Sequence, residues 1–240
     1  MHDFSSGVDI GESEANITRL CTDYNSYDDI ISEYRKYVDL MFENEDDARE
    51  STLLLGPSYG INPEIKSDHW ETMRLEMPLA VFDIDGTKVS ERKLNYGYVM
   101  KDLNNDGKDE LILLSNGAGI RAVFTMIKVD TDWKPFLIDA FWSRYKCHIS
   151  KDGFITINSS GGLSGKIFKC QLSEDGRKLN FIEKLEYSAP QYYSYEKNGH
   201  SKEISEDEFN IFKQGMWSDE YDHIIDCSTY GLEFIPLFEE

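Results

Sequence analysis

The stretch that most narrows what this chain can become is residues 98–114, YVMKDLNNDGKDELILL. Two apolar, strand-like runs flank a loop that reads D-x-N-x-D-G-x-x-E. Side-chain oxygens fall at loop positions 1, 3, 5 and 9, on Asp102, Asn104, Asp106 and Glu110, with Gly107 at position 6. A hard cation such as Ca²⁺ takes about six to eight oxygen ligands, and a tight loop supplies them from alternate residues plus a backbone carbonyl, here that of Lys108. Gly107 permits the bend, having no Cβ to oppose a positive φ. Position 12 is Leu113, where an EF-hand loop has its bidentate Glu, and a β-type run follows in place of a helix. The expectation is a metal-clamped β-turn with Asp102, Asn104, Asp106, Lys108 and Glu110 as the Ca²⁺ ligands. Because the loop's own groups fill most coordination positions, such an ion is structural and not catalytic. The competing expectation is a plain solvated turn, since Asn, Asp and Gly also suit tight connections between strands.

Charge bounds the partners. The 240 residues carry 45 acids against 25 Lys and Arg, a formal charge of −20. Such a field repels nucleic acid and anionic membrane surfaces, both of which are bound chiefly through Lys and Arg. It favours cations, basic partners and solubility. With 40% hydrophobic and 13% aromatic residues the chain has the makings of a folded core. Four cysteines, Cys21, Cys147, Cys170 and Cys227, form no C-x-x-C pair, so zinc and thioredoxin-like chemistry have no support. The even count fits two disulfides or four buried thiols; Cys147 and Cys170, in neighbouring strand-like runs, are the first candidate pair. No apolar run approaches the ~20 residues of a membrane span. No signal peptide is visible after Met1. An exported form would carry its targeting segment beyond this sequence, and a cytoplasmic location stays open.

Residues 1–25 are polar and without a period, and read as a flexible leader; residues 26–240 read as a single domain. Ile30, Tyr34, Tyr37 and Met41 form one helical stripe with Ile31, Val38 and Phe42 beside it, capped by Ser26 or Asp28 and running to about Asp47. After a turn near Pro57, strands are predicted over 75–84, 96–103, 110–115, 121–129 and 136–145. Residues 148–150 and 154–158 flank the hairpin turn at Lys151–Gly153, and 165–172 and 179–187 flank that at Glu174–Gly176. Ser205 and Glu208 make a capping box for a helix carrying Phe209, Phe212 and Met216 to about Trp217. Residues 232–238 end the chain as a strand or packed tail. The pattern predicts an α+β fold, a central antiparallel β-meander flanked by an N-terminal and a C-terminal helix, with the acidic loop at one edge.

Several other constellations compete. Residues 79–87, LAVFDIDGT, resemble the first motif of haloacid-dehalogenase-like phosphatases. That resemblance implies Asp83 as nucleophile and Asp85 as general acid beside Mg²⁺. No downstream G-D-x-x-x-D accompanies it, and that fold needs strands alternating with helices, which the pattern after Thr87 does not offer. Residues 161–166, GGLSGK, fail the phosphate-loop spacing, and Ile167 stands where Ser or Thr would meet Mg²⁺; a glycine-rich hairpin is expected. Tyr192, Tyr193 and Tyr195 suit either sugar stacking or packing, and packing is the favoured expectation for Tyr193 and Tyr195, which share a face.

From Tyr96 to about Tyr187 the chain resembles a group of Gram-positive secreted proteins and lipoproteins, in which an aromatic strand leads into D-x-[DN]-x-D-G-x-x-E-L. The loop is also similar to the calcium loops of FG-GAP repeats, in a single copy here. Ser205 to Phe209, SEDEF, resembles a helix start common near the end of such proteins. These resemblances imply the same five ligands for Ca²⁺ and an extracytoplasmic location, secreted or cell-surface. The functional expectation is a non-enzymatic binding or structural module for a protein or carbohydrate ligand. Alternatives are a Mg²⁺-dependent phosphatase using Asp83 and Asp85, and an acidic immunity or inhibitor protein that masks a basic partner.

Overall fold

The run Leu111-Ile112-Leu113-Leu114 sets the architecture. Successive side chains of a strand point to opposite faces, yet all four residues are fully buried. A strand apolar on both faces must be covered on both. The computed structural model describes residues 24–43, 96–115, 119–141, 145–161, 163–188, 191–217 and 233–238. Among these described residues there are eleven strands, β1 (Tyr96–Lys101), β2 (Glu110–Ser115), β3 (Gly119–Val129), β4 (Asp132–Ala140), β5 (Tyr145–Ile149), β6 (Ile155–Gly161), β7 (Ser164–Leu172), β8 (Leu179–Ser188), β9 (Tyr192–Lys197), β10 (His200–Glu203) and β11 (Ile235–Pro236), and two helices, α1 (Tyr27–Glu43) and α2 (Glu206–Met216).

The chain is therefore β-rich, with every described strand pair antiparallel. The meander is split into two sheets, ordered β11-β1-β2-β3-β4 and β10-β9-β8-β7-β6-β5, where the sequence suggested one. A twisted open sheet of so many strands would leave an apolar face wet. Stacking the halves buries it: Val99, Ile112, Leu114, Val123, Phe136 and Ile138 of the first sheet share one cluster with Cys147, Ile149, Ile155, Ile157, Cys170 and Leu172 of the second. The opposite faces meet the helices. Ile30, Ile31, Tyr34 and Val38 of α1 cluster with Leu111, Leu113, Ala122 and Phe124. Phe209 and Met216 of α2, with Trp217 just beyond it, cluster with Ile167 and Leu185.

Several boundaries move. The span predicted as one strand over 136–145 is divided between β4, which begins at Asp132, and β5, which begins at Tyr145. Tyr192–Lys197 and His200–Glu203 add a hairpin the periodicity did not mark. Tyr193 and Tyr195 do pack: Tyr193 lies against Phe209 and Tyr195 stacks on Phe212, with ring centroids 5.1 and 4.3 Å apart. Ser26 starts α1, its Oγ accepting the Asp29 amide at 3.3 Å while Asp29 accepts the Ser26 amide at 3.1 Å. Gly161 pairs with Ser164, and Gly165 and Lys166 continue into β7, so β6 and β7 form a hairpin, as the hairpin reading expected.

The candidate disulfide is not formed; Cys147 and Cys170 are free. Cys147 lies opposite Ile157 and Cys170 opposite Ile155, so both flank β6 from strands two apart. Strand spacing alone puts their Cα atoms about 10 Å apart, beyond the ~7 Å a disulfide can span. Burial pushes both thiols above their ordinary range. The strand predicted at 75–84, the leader, Cys21 and Cys227 lie outside the described residues.

The α2 start rests on its cap. Ser205 accepts the Glu208 amide at 3.2 Å, and Glu208 accepts the Ser205 amide at 3.0 Å. Ser205→Ala is expected to cost about 1 kcal/mol of stability, read as a lower urea midpoint with an unchanged slope.

Candidate metal site at the β1–β2 loop

Side-chain parity decides where the loop's oxygens go. Glu110 opens β2 on the same face as Ile112 and Leu114, so its carboxylate enters the layer between the sheets, where the residue is 1% exposed. There Oε2 accepts the Leu103 amide at 2.7 Å and Oε1 accepts the Thr125 hydroxyl at 3.2 Å. Thr125 is one of two buried polar residues in β3, the other being Arg121. Parity was the signal that would have found Thr125, since it stands two residues after Val123 in β3 and so on the same face. Glu110 thus staples the loop from below.

The upper part of the loop turns inward on its own amides. The Asp106 amide donates to Asp102 Oδ1 and to Asn104 Oδ1, both at 3.2 Å. Gly107 N–H donates to Asp102 Oδ2 at 2.9 Å, and Lys108 N–H to Asp106 Oδ1 at 2.8 Å. Two residues take the left-handed backbone this demands, Asn105 at φ 62° and Gly107 at φ 84°. The one basic residue of the loop, Lys108, pairs with Asp106 at 3.1 Å and lies 4.5 Å from the centre of the Trp133 ring. Asn104 is buried, and its Nδ2 leaves the loop to reach the Ser173 and Glu174 carbonyls of the β7–β8 turn, at 3.0 and 3.2 Å. That contact was not legible in the sequence, because nothing local says which distant turn lies beside the loop.

Electrostatically the loop is unbalanced. Burial pushes the Glu110 carboxyl up from the ordinary 4.5 to about 7, and the charges of Asp106 and Asp102 add to the rise. The Leu103 amide and Thr125 hydroxyl oppose it without cancelling it. Of the predicted ligands, the structure draws Asp102, Asn104 and Asp106 together around shared amides and sets Glu110 beneath them. Among the described residues, no three or more His, Cys, Asp or Glu side chains converge as a metal site. The donor chemistry nevertheless suits a hard cation: all side-chain donors are oxygens, and a carboxylate has about four lone-pair sites, so Glu110 keeps capacity beyond its two bonds.

Asp83 and Asp85 of the phosphatase-like motif lie outside the described residues. The described sheets are wholly antiparallel, whereas that fold is built on parallel strands alternating with helices. Among the described residues no helix is long and apolar enough to cross a membrane. No known protein family, no curated protein and no solved structure matches the chain.

The raised Glu110 carboxyl gives a pH signature. Its folded value stands above the unfolded one, so between about 4.5 and 7 the folded chain binds more protons at this group. Its contribution to stability therefore falls as pH rises through that window. His148, lowered to about 4 by burial, gives the opposite slope up to its ordinary value. Asp29, Asp175, Glu183 and Glu208, all held below the usual carboxylate range, lose stability only as pH falls further. In EDTA, the difference in urea midpoint between the natural chain and Glu110→Gln isolates Glu110, and it is expected to shift in favour of the variant as pH rises from 4.5 to 7.

Proposed function

We propose that this chain is a non-enzymatic binding or structural module of extracytoplasmic type. In this reading Ca²⁺ in the β1–β2 loop clamps a layered β-core whose outer faces are closed by the two helices. The observation that carries the proposal is the buried Glu110 carboxylate, set beside Asp102 and Asp106 with only the half-exposed Lys108 as counter-charge in the loop. Asp102, Asn104, Asp106 and Glu110 would hold the ion by side chain and Lys108 by its carbonyl. The ion would supply positive charge, favouring the ionised form of Glu110 and removing the repulsion among the three acids. Nothing in this role needs a reacting substrate.

The secreted or cell-surface location is supported by the resemblance of residues 96–187 to Gram-positive exported proteins. Partner choice follows from charge and surface. With a formal charge of −20, the chain that would meet a protein or carbohydrate ligand is acidic as a whole. Tyr193 and Tyr195 spend their rings on α2, which leaves Tyr192, 47% exposed, as the ring of that group open to a ligand. The same charge supports a second reading, an acidic inhibitor masking a basic partner, whose binding would weaken steeply with salt.

Thermal unfolding in EDTA, Ca²⁺ and Mg²⁺ tests the clamp. Free Ca²⁺ a hundredfold above its dissociation constant is expected to add about 2.7 kcal/mol of stability, and Asp106→Ala to abolish the gain. No shift in millimolar Ca²⁺ would leave the loop a solvated turn and remove the proposal's central element.

A further inference from the structure

The loop is hydrogen-bonded to the second sheet as well as to its own. Asn104 works in two directions: Oδ1 accepts the Asp106 amide inside the loop, while Nδ2 donates to the Ser173 and Glu174 carbonyls across the sheet interface. Turn 173–178 has its own internal order. Its Gly176 amide donates to the Ser173 carbonyl at 2.8 Å, and the Arg177 and Lys178 amides donate to Ser173 Oγ, each at 3.1 Å. The Ser173 carbonyl oxygen therefore takes one hydrogen bond from its own turn and one from Asn104, using both lone pairs. A second route runs beneath the first. Glu110 accepts the Thr125 hydroxyl, and Thr125 lies so close under Gly176 that a Cβ there would meet Thr125 Oγ1 at 2.6 Å.

We propose that loop 102–110 and turn 173–178 are the two halves of one latch between the sheets, pinned by Asn104, so that a change of state in either half is felt in the other. The geometry explains why position 104 is Asn although Asp would be the stronger cation ligand. An aspartate would keep an acceptor for the Asp106 amide but lose both donors, and would set a carboxylate against two carbonyl oxygens. The latch rests on these hydrogen bonds and stands whether or not the loop binds an ion. Where the Ca²⁺ reading holds, it adds that occupancy of the loop reaches the second sheet, and by linkage that seating of the turn alters the loop's affinity.

Amide hydrogen exchange on the full chain in EDTA tests the latch independently of any cation. In Asn104→Asp, the Gly176, Arg177 and Lys178 amides are expected to exchange about tenfold faster, the change that ~1.4 kcal/mol of lost local stability produces. In Gly176→Ala, which alters no loop residue, the Asp106, Gly107 and Lys108 amides are expected to speed up by a similar factor. The Asn198 amide, which donates to the Ile182 carbonyl outside both halves of the latch, should keep its rate in both variants. Acceleration confined to the substituted segment would overturn the proposal, and so would equal acceleration at Asn198, which marks global loosening. Should Asn104→Asp fail to fold, Gly176→Ala decides alone.

Discussion

Two-sided burial of β2 and β3 is the constraint on which the rest of the structure depends. Leu111, Leu113, Ala122 and Phe124 face one way and Ile112, Leu114 and Val123 the other, so neither strand is stable at a sheet surface open to water. The α1 stripe satisfies the first set and the second sheet the other. Fully burying one such side chain contributes about 1.5–3 kcal/mol, which makes the two packing events the main source of order around the loop. The acidic loop is positioned by this scaffold. It lies where β1 and β2 run out, at the end of the sandwich shared by the β5–β6 and β7–β8 turns. Contacts there are close: a Cβ at Gly153 would meet the Leu103 carbonyl oxygen at 2.8 Å.

Much of this was legible because the relevant signals are local. Ser205 and Glu208 announce the α2 start whatever the helix packs on, and the strand at 110–115 has the bounds its apolar run suggests. The division into two sheets was not legible, since strand periodicity says which residues alternate but not which neighbour each strand takes. Residues 136–145 show the cost: an apolar, aromatic run read as one strand is shared between strands of different sheets, β4 and β5. The disulfide expectation failed for the same reason. Cys147 and Cys170 occupy neighbouring runs in sequence but sit on either side of β6.

For the loop, sequence named the residues and missed their division of labour. Spacing treats Asp102, Asn104, Asp106 and Glu110 as four equivalent oxygen donors. Their environments differ: Asp102 and Asp106 bond the loop's own amides, Asn104 is shared with another sheet, and Glu110 is buried under the loop. Parity along β2 carries the information about Glu110, but it becomes usable only when the inter-sheet face is known to be the covered one. Thr125 carries the same parity signal along β3, whereas Ser173 had no sequence signal at all, because its role exists only through a partner distant in the chain.

A carboxylate at the mouth of an apolar layer carries a desolvation penalty that an apolar residue of similar size would avoid. Its return here is positional. Glu110 receives one hydrogen bond from the loop, through Leu103, and one from the neighbouring strand, through Thr125, so the loop's path over the strand ends is fixed at a point that apolar packing, being non-directional, would leave free to slide. The same penalty makes the loop responsive. A carboxyl held near neutrality by burial and by two nearby acids gains more from an approaching cation than a solvated one would, since the cation relieves both causes at once. Stapling and sensitivity to charge are thus two consequences of a single placement, the parity of one acidic residue at the start of β2.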